Sequence, residues 1–223
     1  MLKKRCIALV ALLSLSLSVA FGQRTISVSA TVAPTLVRTN YNRTFLYPDS
    51  DGQVVEPIFL AGTTHAVGYS AGLTAYYTYG PGWSVAAGIW YGQAALRQAR
   101  PVAGDGTTAI RSRALRLPLL LNYQPSTRRL SPYFSLGLLL DFSLASRVVV
   151  TRPGLPTQRL RLRTEAGPVF KPTLGAGGRY RLNNRFALIV QPVWVYTLGR
   201  FGGEQTTNLS YEVSVLTQVT YQF

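Results

Sequence analysis

Tyr211-Glu212-Val213-Ser214-Val215-Leu216-Thr217-Gln218-Val219-Thr220-Tyr221-Gln222-Phe223 is the stretch that decides the fold. Every odd position except Thr217 is aromatic or valine, and every even position except Leu216 is polar. Period-two alternation of this length describes a β-strand with one apolar and one polar face. Alternation alone does not say which face turns inward.

Upstream, the same pattern recurs seven times. Residues 25–37 set Ile26, Val28, Ala30, Val32 and Leu36 against Ser27, Ser29, Thr31 and Thr35. Residues 65–79 set Val67, Tyr69, Leu73 and Tyr77 against Gly68, Ser70, Gly72 and Thr74. Residues 83–95, 113–124, 133–145, 170–182 and 185–198 follow, with apolar faces such as Leu115, Leu117, Leu119 and Leu121 or Phe134, Leu136, Leu138 and Leu140. Gly80-Pro81-Gly82 and Asn183-Asn184 read as tight turns. Pro118 lacks the amide a ladder needs, which predicts a bulge there. Each segment reaches the roughly 9–11 residues of a tilted transmembrane strand.

Composition says what the apolar faces meet. Charged residues are 14% of the chain, against about 25% in ordinary soluble domains. The polar faces carry Ser, Thr, Gly, Asn and Gln where a soluble barrel would carry Lys and Glu. Such faces suit a narrow polar lumen, with the apolar faces turned to lipid. The expected fold is all-β: an eight-stranded antiparallel up-and-down transmembrane β-barrel, with short periplasmic turns and longer extracellular loops. The long connections fall at residues 39–64 and 146–169 in particular, and a ten-stranded count arises if 39–64 adds a membrane hairpin. Aromatics gather at both strand ends: Tyr77, Trp83, Tyr123, Phe134, Tyr180, Phe186 and Tyr221 near the short turns, and Tyr69, Tyr91, Phe142, Trp194, Tyr196 and Tyr211 near the long loops. Two such girdles fit the two interfaces of a bilayer.

The amino-terminal end reads as an export leader. Lys3, Lys4 and Arg5 precede an apolar stretch broken only by serines, and Ala20-Phe21-Gly22 is a small-x-small cleavage site. Residues 1–22 are the expected signal peptide and 23–223 the barrel domain. Cys6, the single cysteine, lies in the leader, so disulfide, thiolate-metal and cysteine-nucleophile chemistry are not expected of the mature chain.

Catalytic, cofactor-binding and metal sites are not expected. The single histidine, His65, sits 14 residues from Tyr79. At about 3.3 Å per residue and a tilt near 45°, that lifts it roughly 33 Å, above an apolar band about 25 Å tall. Asp49 and Asp51 belong to an Asp-Ser-Asp-Gly turn. Gly175, Gly177 and Gly178 precede no helix and suit tight strand packing.

The charges divide into two groups. Taking the three leader cations from 23 basic residues leaves 20 against 8 acidic, a net +12. Nucleic acid is not the expected partner of an exported barrel. Arg97, Arg100, Arg111, Arg113, Arg147, Arg152, Arg159, Arg161 and Arg163 collect around the second and third long loops. There they would meet lipopolysaccharide phosphates, of which Arg152, Arg159, Arg161 and Arg163 are the expected contacts, or form a solvated, screened surface. Strand phase turns Arg116, Asp141, Lys171, Arg179 and Glu212 into the lumen, where unpaired charge is costly. The turn over residues 125–132 has its centre near 128 and 129, which sets Arg116 opposite Asp141.

Three segments resemble the outer-membrane β-barrel family common in Bacteroidetes, the PorT-like or porin-like barrels, small and eight-stranded in the OmpA/OmpX manner. They are Leu115-Arg116-Leu117-Pro118-Leu119-Leu120-Leu121-Asn122-Tyr123, Pro132-Tyr133-Phe134-Ser135-Leu136-Gly137 and Leu174-Gly175-Ala176-Gly177-Gly178-Arg179-Tyr180-Arg181-Leu182. The resemblance implies a bacterial outer-membrane location. It implies that Tyr211, Val213, Val215, Val219, Tyr221 and Phe223 form the C-terminal signal read by the barrel-assembly machinery. One branch is linked to the type IX secretion apparatus, which makes a secretion-system or cell-surface protein an expected partner, beside outer-membrane lipid and lipopolysaccharide. Three function classes follow: a non-catalytic structural or interaction barrel, a narrow porin-like channel for small solutes, and a lipid-modifying enzyme built around His65. The first is the expected one.

Overall fold

The computed structural model describes residues 25–46, 48–49, 58–99, 106–154, 156–162, 167–200 and 207–223. The leader and Arg163 lie outside the described residues. Eight long strands form the wall: β1 (Thr25–Leu46), β2 (Ile58–Gly80), β3 (Trp83–Ala99), β4 (Thr107–Tyr123), β5 (Leu130–Thr151), β6 (Pro168–Arg181), β7 (Phe186–Tyr196) and β8 (Thr207–Gln222). Each pairs antiparallel with its neighbour in sequence. The ring closes where β8 pairs with β1, from Ser27 opposite Gln222 up to Tyr41 opposite Thr207. A closed ring leaves no free sheet edge, the condition for a strand-built wall in lipid.

The wall count is eight. The ten-stranded alternative fails because residues near 39–64 extend β1 and β2 in place of adding a pair, with Leu46 still opposite Ile58. Residues 146–169 are also shorter as a loop than expected. β5 runs on to Thr151, and a short strand, Gln158–Leu162, folds back on it so that Val148 meets Leu160. Two-residue strands at Pro48–Asp49 and Gly199–Arg200 add to the rim. The physical reason is that backbone amides above the lipid still need partners, and continuing the ladder supplies them. The rim is uneven, because β1 and β2 run 22 and 23 residues while β7 runs 11.

Pro118 makes no bulge. Register is the same on both sides of it, with Ala87 opposite Leu119 and Trp90 opposite Arg116. Against β5, Pro118 simply faces Leu139. The irregularity lies higher, between Arg111 and Arg113, whose partners are Arg147 and Leu144. Residues 145 and 146 there face one residue of β4. The extra residue flips the phase of β5: Tyr133, Ser135 and Asp141 point inward below it, Val148 and Val150 above it.

The apolar faces point outward, as the composition requires. Leu36, Val67, Leu73 and Ile89 are about 60% exposed, and similar residues run round all eight strands. An apolar belt of this extent belongs in lipid. At its short-turn edge, Trp83 packs on Tyr123 and Phe186 on Tyr221, with ring centroids 4.6 and 5.1 Å apart. At the other edge Trp194 meets Tyr211 edge-on.

The interior departs from the purely polar lumen expected. Polar residues are plentiful, but apolar layers alternate with them. Tyr76, Ala86 and Leu120 form a layer near the short turns. Ala33, Trp90, Leu139, Val193, Val195 and Leu216 form one in the middle. Leu96, Ile110, Val148 and Val150 cap the long-loop end, with Tyr41, Ala66 and Leu160 against them. An eight-stranded ring is so narrow that side chains from opposite walls touch, so its inside packs like a core.

Candidate functional site

The inward faces of β4, β5, β6 and β8 bring four charges to one level. Arg116 grips Glu212 with both ends of its fork, Nη1 to Oε2 at 2.8 Å and Nη2 to Oε1 at 3.2 Å. Its Nη2 also stands 3.4 Å from Asp141 Oδ2. Lys171 Nζ lies 2.7 Å from Asp141 Oδ2 and donates to Glu212 Oε1. The order Arg116, Glu212, Lys171, Asp141 is a closed ring of alternating sign with no net charge. All four side chains are nearly shielded from solvent. Arg116 and Asp141 are register partners on adjacent strands, and Arg116 meets Glu212 across the lumen.

A glycine makes room for the ring. Gly92 faces inward on β3, and a Cβ built there would stand 2.6 Å from Arg116 Nε. Arg116 therefore lies flat over bare backbone on its way to Glu212. Below the ring a polar ladder crosses the lumen. Tyr76 donates to Gln218 Oε1 at 2.8 Å, and Gln218 Nε2 donates to Thr31 Oγ1 at 3.0 Å. Trp90 Nε1 donates to Thr74 Oγ1 at 2.8 Å, and Ser135 to Gln191 Oε1 at 3.1 Å. Gln191 and Gln218 are each 1% exposed, so their amides depend on these partners. The enclosed space left at this level is about 20 Å³, lined by Thr35, Trp90, Arg116, Gln191 and Leu216 among others. That holds about one water.

Arg179 does not join the ring. It sits near the short turns, where its Nη1 donates to Gln124 Oε1. His65 is exposed on the outer side of β2, opposite Arg38 of β1, and faces neither the lumen nor an acidic partner. Asp49 belongs to the short rim strand, opposite Arg161, and Asp51 lies outside the described residues. Among the described residues no group of three His, Cys, Asp or Glu could hold a metal ion.

The loop arginines are largely wall residues. Arg111, Arg147 and Arg161 are register partners in one row across β4, β5 and the Gln158–Leu162 strand, all exposed on the outer face. Arg159 lies two residues from Arg161 on the same face, also exposed. Arg152 follows the end of β5. At this rim, burial of the Tyr41 ring holds its hydroxyl above the ordinary tyrosine range.

On β8, Val213, Val215 and Val219 face outward, and Phe223 is 77% exposed with its ring edge-on to Tyr221. Tyr211 hydroxyl accepts from Arg38 Nη1 at 3.2 Å, tying the last strand to the first at the long-loop edge.

Sequence reasoning missed three inward groups: Tyr76, Trp90 and the apolar cap. Tyr76 and Trp90 sit next to outward aromatics, Tyr77 and Tyr91; strand phase already turned them inward, and the expectation of a polar lumen passed them over. The cap was hidden by the extra residue in β5, although Val148-Val149-Val150 is a strong strand signal.

A model of the outer membrane protein beta-barrel domain family matches residues 21–154, more than half of the sequence. The chain belongs to that family. It is a bacterial outer-membrane barrel, with its short turns toward the periplasm and its long connections outside. Solved structures similar to it include neisserial surface protein A, at 13% identity, covering 91% of this chain and 100% of that one, with a TM-score of 0.48. Ail of Yersinia pestis is 12% identical over 91% and 100% of the two chains, with a TM-score of 0.37. OprG of Pseudomonas aeruginosa is 15% identical over 87% and 95%, with a TM-score of 0.36. Nothing about activity follows from likeness at that level. No curated protein matches the chain.

Proposed function

We propose that this outer-membrane barrel is a closed, non-catalytic protein whose role is structural or interactive and is exercised at its extracellular rim. The observation that carries the reading is the filled lumen: an apolar cap, a neutral ring of four charges and an amide ladder lie in series, with about 20 Å³ of enclosed space between them. A solute path through the barrel would have to part all three. Single-channel recording in planar bilayers tests this. The expected result is a silent bilayer, and a steady, ohmic conductance would move the reading to the porin-like channel.

Further readings come from the sequence and from the rim and last strand. Residues 1–22 are the cleaved leader and 23–223 the mature barrel, to be checked by intact mass of protein from the outer membrane. The row Arg111, Arg147 and Arg161 sets three like charges side by side with one acidic residue, Asp49, at its end, an excess that further anions would relieve. Lipopolysaccharide phosphates would supply them, through these arginines and Arg152 and Arg159. The three segments at residues 115–123, 132–137 and 174–182 support kinship with the PorT-like barrels and hence a secretion-system or cell-surface partner, to be sought by pull-down from native membranes. The outward aromatic and valine face of β8 supports recognition by the assembly machinery. Deleting Phe223 is expected to lower outer-membrane levels and leave protease-sensitive chain in the periplasm; unchanged insertion would make that ring incidental.

A further inference from the structure

Among the described residues no acidic side chain lines the periplasmic end: Asp141 and Glu212 are in the mid-lumen ring, and Asp49 belongs to the rim strand opposite Arg161. Among the described residues five arginines occupy the periplasmic end: Arg128 and Arg129 in the β4–β5 turn, Arg179 and Arg181 on the inward face of β6, and Arg185 in the β6–β7 turn. Arg179 and Arg181 are two residues apart on a strand, so their side chains leave the wall about 7 Å from one another.

These arginines border open space. A vestibule of about 530 Å³ opens at the short turns, lined by Arg179, Arg181, Gln124, Thr127, Tyr133 and Trp83 among others. A second recess of about 250 Å³ shares Arg179 and Arg181 and adds Arg185, Asn183 and Asn184. Neutral groups hold the two guanidiniums in place. Gln124 accepts from Arg179 Nη1, and the Thr127 carbonyl accepts from Arg181 Nη2 at 2.6 Å. Gln124 is itself fixed, its Nε2 donating to Ser131 Oγ at 2.8 Å and to the Ser126 carbonyl at 2.7 Å. Arg179 Nε is buried with no hydrogen-bond partner.

We infer that the periplasmic vestibule is a binding site for a phosphate group, held between Arg179 and Arg181 with Arg185 at its edge. Two cations of fixed direction, a third at the edge and no side-chain carboxylate among the lining residues match a dianionic oxyanion, and guanidinium forks bond such oxygens in pairs. The sheltered wall weakens solvent screening relative to an open surface. The phosphate comes either from a free phosphorylated solute of the periplasm or from a phospholipid headgroup of the inner leaflet. The cation–π contact of Arg129 with Tyr180, 5.1 Å from guanidinium carbon to ring centroid, marks the headgroup level on the outside of the same strand.

The test is a titration of the full chain, refolded in maltoside micelles, with inorganic phosphate at constant ionic strength. The readout is the NMR shift of the Arg179 Nε–H and the Gln124 side-chain amide. Saturable shifts are expected at millimolar phosphate or below. Arg179→Gln with Arg181→Gln should weaken binding at least tenfold, and Arg38→Gln, at the opposite end, should leave it within twofold. If the double variant fails the heat-modifiable mobility check for folding, Arg181→Gln and Arg185→Gln are read singly, each expected to weaken binding severalfold. Repeating the titration in phosphatidylglycerol nanodiscs separates the sources: loss of the phosphate response there assigns the site to headgroups, and its retention assigns it to a free solute. Shifts that do not saturate, that chloride reproduces, or that persist in the arginine variants overturn the inference.

Discussion

The middle of the lumen and its periplasmic end present the same kind of cation in opposite company. Arg116 and Lys171 each lie between Asp141 and Glu212. Arg179 and Arg181 meet only an amide and a carbonyl oxygen. All four cations are on inward faces, so phase alone does not decide whether a charge is neutralised. Access to water does. In mid-lumen there is room for about one water, too little to stand in for a counter-charge, and carboxylates from other strands must supply it. At the vestibule, solvent and neutral oxygens suffice, and the charge remains available to something else.

The mid-lumen ring offers the largest break. Asp141→Ala or Glu212→Ala leaves two buried cations against one anion and should cost roughly 3–5 kcal/mol, read by urea titration of the refolded barrel. Glu212 should matter more, since it bonds both cations while Asp141 Oδ1 has no partner. Neutralising Arg116 and Glu212 together, both to Gln, should recover part of the loss. If Asp141 proves the costlier residue, the ring is not organised around Glu212.

Gly92→Ala is a subtler probe of the same place. It removes no charge but puts a methyl where Arg116 crosses β3, and the expected cost is about 1–3 kcal/mol. A neutral outcome would mean that Arg116 reaches Glu212 by another path.

The vestibule should respond least, and differently. Arg179→Gln with Arg181→Gln should change stability by less than about 1 kcal/mol. Raising salt should stabilise the native barrel slightly by screening the arginines from one another. That salt response should vanish in the double variant and persist in Asp141→Ala. A salt response that follows the ring instead would reverse the comparison.

Much of this was legible in the sequence because a β-strand's period is fixed. The alternation in residues 211–223 and 25–37 gives strands with two faces, the low charge content says which face meets lipid, and the turn over residues 125–132 is short enough to set Arg116 opposite Asp141. What was not legible depends on distance across the ring. Nothing local pairs Arg116 with Glu212, 96 residues away. Nothing local separates Arg179 from the ring either; its different surroundings follow from its height on β6. The extra residue in β5 is invisible by period, because one added residue resets the phase without disturbing the alternation on either side.

The seam between β1 and β8 also governs time. Thr31 and Gln218 are 187 residues apart and meet across it. The first strand cannot find its second neighbour until residues 207–222 have been made and exported, so the ring cannot close before they arrive. Native contacts this distant in sequence make folding slow. Until the two strands meet, each keeps one edge without its ladder partner.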